Sequence, residues 1–310
     1  MGSRSDAGSE GNKEKVRKSE ITQGETLMKV GFNMLLWTTH VTEEHFPLLE
    51  TLKKVGYDGV EIPLFEGDVA HFEKVGKAIR DNDLGCTTVT VIPDEQHNPI
   101  SADARNRQAA VDHLKWAIDC SAALGSPVLC GPFYQPLGVF TGQGPTEVEK
   151  QRAAEVHRQA ADIAAKANIT LALEYLNRFE CYFLNTMADA ADYVKRVNHP
   201  SIGVLYDTFH ANIEEKDPVG CIRPHIDVIK HVHISENDRG TPGKGHIDWP
   251  GTFKALRSGG YDEWMVVEAF GRALPDLAAA TRVWRDFFPK TEEVYTEALK
   301  LVKKQWEAAG

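Results

Sequence analysis

From Lys29 onward, short apolar runs alternate with longer amphipathic stretches in a steady rhythm. Val30–Trp37 is an apolar, strand-like run, and Glu43–Val55 carries apolar residues at helical spacing (Phe46, Leu49, Leu52) before stopping at Gly56. Gly59–Ile62 predicts a second strand ended by Pro63. Val69–Arg80 predicts a helix, and the β-branched run Cys86–Ile92 a third strand stopped by Pro93. Ala102–Leu124 has the pattern of a long amphipathic helix capped by Gly125; a short strand (Pro127–Cys130), a Gly/Pro-rich loop (Gly131–Pro145) and a helix (Glu147–Ala167) follow. In the second half, strand patterns fall at Thr170–Glu174, Ile202–Asp207, Ile229–Ile234 and Glu263–Glu268. Helical patterns fall at Met187–Val197, Pro218–Ile226, Trp249–Arg257, Asp276–Phe287 and Glu292–Ala308, with a Gly/Pro loop at Asp238–His246.

Eight strands, each followed by a helix over about 280 residues, predict an α/β fold of the (β/α)8 barrel type spanning residues 28–310. A doubly wound sheet is the competing architecture, but no Gly-x-Gly-x-x-Gly follows the first strand. Met1–Leu27 is rich in Gly, Ser, Lys and Glu and nearly free of large apolar residues. It reads as a disordered N-terminal extension or cloning-derived tail, with Met28 as the natural beginning.

The chemistry gathers where strands end. In Leu171–Glu180 (LALEYLNRFE) a short apolar run stops at Glu174, and a polar segment closes on Glu180. Alternation places Ala172 and Glu174 on one face and Leu171 and Leu173 on the other. Three later strands end in the same manner, at Asp207, His233 and Glu268. The four residues are separated by 33, 26 and 35 positions, each close to one strand–helix repeat, so in a barrel they stand at equivalent heights around one mouth. One strand-end acid is ordinarily solvated or ion-paired. With four metal-capable groups on four successive strands, buried carboxylates this close would repel one another without a cation. Three carboxylates and an imidazole make a hard, oxygen-rich set suited to Mn²⁺, Mg²⁺ or Co²⁺, although zinc also accepts such ligands. Glu61, at the end of the second strand, points inward as a polar contact or a structural ion pair. His231 lies one layer below His233, either supporting it or packed in the barrel.

Composition narrows the partners. The chain has 45 acidic and 35 basic residues, a formal charge of -10, which recommends neither nucleic acid nor an anionic membrane. No apolar run reaches the ~18 residues of a membrane span, and the N-terminus lacks a signal peptide's apolar core. Five scattered cysteines without a C-x-x-C pair read as reduced thiols in a cytoplasmic protein. Gly243-Lys244-Gly245 lacks the spacing of a phosphate-binding loop and reads as a turn.

The stretches LEYLNRFE (173–180), YDTFHANIEE (206–215), HVHISENDRGTPGKG (231–245) and VVEAF (266–270) resemble the ketose 3-epimerases, which include the D-tagatose, D-psicose and L-ribulose enzymes, all xylose-isomerase-like barrels. VWRDFF (283–288) is similar to that family's closing helix, and the resemblance covers Met28 to Phe288. It implies that Glu174, Asp207, His233 and Glu268 bind a divalent metal, usually Mn²⁺ or Co²⁺, with Glu174 and Glu268 as the acid/base pair. Glu180, His210 and Arg239 match positions that hold the sugar's first three oxygens. Phe270 matches a pocket position and Trp37 matches one less closely; both are aromatic walls for a sugar's C–H face. The loops Pro93–Ile100 and Phe133–Gly144 are expected to form the far wall. The resemblance also implies a homodimer or homotetramer and a free ketose as the small-molecule partner. Rival readings are an aldose–ketose or hydroxypyruvate-type isomerase, an endonuclease-IV-like phosphodiesterase, and a sugar-binding barrel without catalysis. The phosphodiesterase calls for more strand-end histidines and a basic mouth, neither of which is seen.

Overall fold

A computed structural model describes residues 28–310; the expectation for Met1–Leu27 lies outside the described residues. Eight parallel strands close into a barrel in sequence order: β1 (Lys29–Asn33), β2 (Gly59–Pro63), β3 (Gly85–Val89), β4 (Val128–Gly131), β5 (Thr170–Glu174), β6 (Ile202–Asp207), β7 (Ile229–Ile234) and β8 (Trp264–Val267). The ring is sealed by β1 pairing with β8. Around it run α1 (Phe46–Val55), α2 (Val69–Asp81), α3 (Ala104–Leu124), α4 (Glu147–Lys166), α5 (Met187–Val197), α6 (Thr208–Glu214), α7 (Trp249–Ser258), α8 (Pro275–Ala280) and α9 (Thr291–Ala308).

The helix boundaries follow from local chemistry. Asp103 caps α3 by accepting from the Arg105 amide (2.8 Å), and Gly125 ends it in the left-handed region at φ 82°. Thr146 and Glu149 form a reciprocal capping box on α4, a device whose loss costs roughly 1 kcal/mol. Several stretches depart from the pattern-based expectation. The Glu43–Val55 stretch begins as a 3-10 turn over Glu43–His45 before α1. β3 stops at Val89; the Thr90 amide still bonds the Cys130 carbonyl of β4 (3.0 Å), while its hydroxyl bonds the Leu64 carbonyl just past β2 (2.8 Å). No α-helix covers 218–226; a 3-10 turn at Arg223–Val228 stands there, where Pro224 denies the chain a helical donor. The helical pattern at 276–287 is realised only as α8, since the chain reverses at Arg282 with φ 60°.

Inside the barrel the side chains stack in layers. Gly31, Gly59 and Gly85 lie in register on β1, β2 and β3. A Cβ on Gly59 would come within 2.6 Å of the Trp264 indole and 2.5 Å of the Gly85 carbonyl oxygen. The three glycines thus make room for one indole, which plugs the barrel floor. Two residues further along these strands, on the same face, stand Asn33, Glu61 and Thr87. The register pairs Asn33 with Glu61 and Glu61 with Thr87. Glu61, Thr87 and His231 are wholly buried, and the mouth opens one layer above them.

Candidate active site

At the carboxyl ends of the strands, Glu174, Asp207, His233 and Glu268 come together. One ligating atom from each lies within 4.8 Å of all the others, and all four residues are buried. His233 Nδ1 is 3.4 Å from Glu268 Oε1, 3.7 Å from Asp207 Oδ2 and 3.9 Å from Glu174 Oε1. That nitrogen has no hydrogen-bond partner among the described residues. A buried, unpartnered ring nitrogen facing three carboxylates is the donor arrangement a divalent cation fits.

The charges point the same way. Burial, with the neighbouring Glu268 and Asp207, drives the Glu174 carboxyl well above its usual pKa despite His233. Burial disfavours a charged His233, yet Glu61 and Glu268 hold its imidazole well above the ordinary value. Burial also opposes ionisation of Asp207, but Arg239 and the two histidines prevail and hold it low. The cluster is therefore short of positive charge at the point its donors surround.

Asp207 has two tasks. Its Oδ1 accepts from the Phe209 (2.6 Å) and His210 (3.3 Å) amides and caps α6, which leaves Oδ2 facing the cluster. His210 is expected on a loop from the sequence; it stands instead in the first turn of this short helix. Two donors from Asn177 occupy its Nδ1 (3.0 and 3.1 Å), so Nε2 turns toward Arg239 Nη2 at 2.8 Å and Glu174 Oε1 at 3.5 Å. Burial and the adjacent guanidinium push the His210 pKa down to about 3, so the ring is neutral.

Arg239 reaches in from the β7–α7 connection with φ 67°, a left-handed backbone unusual outside glycine. Its Nη1 donates to Glu268 Oε2 (2.5 Å) and Asp207 Oδ2 (3.1 Å). Its guanidinium lies over Phe209 (3.9 Å) and Phe270 (5.0 Å), and its carbonyl accepts from the Phe270 amide. Phe270 is thus brought to the site through Arg239. Glu180 stands at its edge, bonded by Asn177 Nδ2 (2.7 Å), and burial raises its pKa although Arg239 opposes the shift.

Trp37 is not brought there. Its ring packs on Phe32 (5.0 Å) and Tyr295 of α9 (6.2 Å), in the layer between strands and helices. The run past β1 turns into a 3-10 helix over Met34–Leu36, with Trp37 as its C-cap. The loops after β3 and β4 meet through Ile92 and Pro136. Between them lies a cavity of about 300 Å³ whose lining includes Asn98, Gln135, Glu149 and Tyr182. The loop containing Gly243-Lys244-Gly245 is a closed turn. Glu236 accepts from the Gly243 (2.7 Å) and Ile247 (3.3 Å) amides and from the Trp249 indole (3.2 Å), so those donors are already engaged.

Three site residues escaped the reading from sequence. Ser235 donates to Asp207 Oδ2 (3.1 Å), Asn33 donates to Glu268 Oε1 (3.2 Å), and Asn177 holds both His210 and Glu180. Strand alternation offers a signal for Ser235, two positions past His233, and Asn33 is the one polar residue in Val30–Trp37 before Thr38.

Residues 49–305 match the family model described as xylose isomerase-like TIM barrel. The chain is 30% identical over 284 residues to the ketose 3-epimerase of Arthrobacter globiformis, covering 91% of this chain and 98% of that one. It is 31% identical over 290 residues to the D-psicose 3-epimerase of Ruminiclostridium cellulolyticum, with 91% and 95% covered. Among solved structures, D-psicose 3-epimerase with D-tagatose from Clostridium cellulolyticum H10 superposes with a TM-score of 0.82 at 27% identity, covering 91% of this chain and 99% of that one.

Proposed function

This chain belongs to the ketose 3-epimerases of the xylose isomerase-like TIM barrel family, and from that premise we propose that it inverts free ketoses at carbon 3 with a divalent cation held by Glu174, Asp207, His233 and Glu268. The observation that carries the proposal is the convergence of those four buried groups on one point, with His233 Nδ1 unpartnered. Epimerisation next to a ketone requires removing the carbon-bound proton from one face and returning one to the other. Glu174 comes from β5 and Glu268 from β8, so the two carboxylates approach a bound sugar from different sides of the mouth. Arg239 and Asn33 hold Glu268 in place, while His210 Nε2 and His233 Nδ1 face the Glu174 carboxyl. One of the two accepts the proton and the other returns one, and the roles exchange in the reverse direction. Bound at the four ligands, the cation supplies Lewis-acid stabilisation of the negative charge that develops on the substrate oxygens. Glu180, His210 and Arg239 orient the oxygens of the sugar, and Phe270 faces its C–H surface. Trp37, packed against α9, has no part in this wall.

The oxygen-rich donor set favours Mn²⁺, with Co²⁺ or Mg²⁺ as substitutes. The sugar's tail extends toward the loops after β3 and β4. The scattered free cysteines suit a cytoplasmic protein, and the family reading makes it a homodimer or homotetramer, with residues 28–310 as its working unit. The test is proton NMR of D-psicose, D-tagatose and L-ribulose in D₂O with enzyme and Mn²⁺, repeated after EDTA. Deuterium at carbon 3 together with the epimer, abolished by EDTA, is the expected result. Label at carbon 1 or 2 with an aldose product would refute epimerisation and establish the isomerase reading.

A further inference from the structure

Beneath the four metal-facing groups lies a second buried cluster that the reaction does not use directly. Glu61, Cys130, His231 and His233 place donor atoms within 4.8 Å of one another, and all four are fully buried or nearly so. Its centre is the Glu61 carboxylate. Oε1 accepts from His233 Nε2 (2.7 Å) and Asn33 Nδ2 (2.9 Å). Oε2 accepts from His231 Nε2 (2.8 Å), Thr87 Oγ1 (2.8 Å) and the Cys130 thiol (3.2 Å). Five donors converge on two oxygens, a load that suits an ionised carboxylate and neither a carboxylic acid nor an amide.

Two of these bonds lead upward into the active site. With Nε2 of His233 committed to Glu61, the ring presents Nδ1 to Glu174, Asp207 and Glu268. Asn33 is fixed in orientation because its Oδ1 accepts from the Leu35 amide (2.9 Å). Its Nδ2 end must then face the acids, and it spans Glu61 Oε1 and Glu268 Oε1 at 2.9 and 3.2 Å. Glu61 therefore grips one proposed ligand directly and a second through a single amide.

We propose that Glu61 is a positioning residue for the cation site. It fixes the His233 tautomer with the proton on Nε2 and Nδ1 free, and through Asn33 it sets the direction of Glu268. This inference rests on the reading that the upper four groups hold a divalent cation. The lower cluster is a hydrogen-bonded support, so the protein takes up one cation per chain.

Glu61→Gln is the decisive variant, being nearly isosteric. A glutamine offers one acceptor oxygen and turns an NH₂ toward the donors on the other side. One imidazole then loses its acceptor, and His233 is free to place a proton on Nδ1, where the cation should bind. Mn²⁺ alone, titrated with the free ion followed by electron paramagnetic resonance, should show one site in the parent protein and a 10- to 100-fold weaker one in Glu61→Gln, the range expected for loss of an outer-sphere partner. Unchanged affinity in a folded Glu61→Gln protein would overturn the proposal, as would uptake of two Mn²⁺ per chain.

The second measurement needs no variant. In ¹⁵N-histidine-labelled parent protein loaded with Mg²⁺, long-range ¹H–¹⁵N correlation should place the His233 proton on Nε2. A proton on Nδ1 would overturn the proposal even if Glu61→Gln failed to fold. Absence of any Mn²⁺ binding by the parent protein would instead remove the cation reading on which this inference stands, so the two failures are distinguishable.

Discussion

His157 gives this fold a built-in acid limit whose size can be worked from its surroundings. The ring is fully buried on α4. Nε2 faces the Phe133 carbonyl (3.1 Å), in the loop after β4, and Nδ1 meets the Tyr193 hydroxyl of α5 (2.5 Å). The carbonyl can only accept, so the ring's proton sits on Nε2 and Nδ1 accepts from Tyr193. Protonating Nδ1 would bury a cation and force the Tyr193 hydroxyl to turn its hydrogen away from the ring. Burial lowers the His157 pKa from 6.5 to about 4, opposed only by the Phe133 carbonyl. The sign follows directly. As pH falls through the unfolded value of about 6.5, the unfolded chain takes up a proton that the native state refuses until near 4. The stabilisation is thus complete above pH 6.5 and disappears progressively between 6.5 and 4. At 1.36 kcal/mol per pKa unit it amounts to about 3 kcal/mol. The assay is urea unfolding at pH 7 and at pH 4.5, comparing the parent with His157→Gln, whose amide can donate to Phe133 and accept from Tyr193 without titrating. The parent should lose most of that 3 kcal/mol relative to the variant. Parallel losses in the two proteins would refute the reasoning, because every other titrating group is common to both.

Three further outcomes follow from the site and its walls. Glu268→Gln should fold normally but lose exchange of the carbon-3 hydrogen with solvent by about 10²–10⁴-fold, and exchange at the parent rate would sink the two-glutamate assignment. Mn²⁺ at roughly 100 times its dissociation constant should stabilise the fold by about 2.7 kcal/mol and raise Tm by about 5 °C. EDTA should reverse the shift, and an unmoved Tm would refute Glu174, Asp207, His233 and Glu268 as a cation site. Gly131→Ala should destabilise by more than about 2 kcal/mol, because Gly131 holds φ 125° and an added Cβ would collide with the Thr90 carbonyl. Thermal denaturation reads this directly, and a neutral substitution would show that the β3–β4 edge yields more easily than its geometry implies.

How much of this was legible without coordinates depends on the range of the forces involved. Alternating apolar runs and amphipathic stretches are local, and they determined the eight strands, most of the helices and the closed barrel. The polar ends of β5 to β8 also lie in the chain itself, so Glu174, Asp207, His233 and Glu268 could be named from spacing and from the resemblance to the ketose 3-epimerases. Boundaries were less legible where one residue overrides a pattern. Asp207 caps a helix that the strings around it do not announce, and Arg282 ends a helical run early.

What the tertiary structure alone decided are the contacts between residues far apart in sequence. Trp37 and Phe270 are both aromatics just past strand ends, yet one packs against α9 and the other against Arg239. Glu61 could be placed inside from its position on β2, but its five donors come from β1, β3, β4 and β7. Local propensity fixes which way a side chain points from its own strand. Only closure of the ring fixes what it meets there, because hydrogen bonding and charge pairing depend on distances that the chain order does not contain.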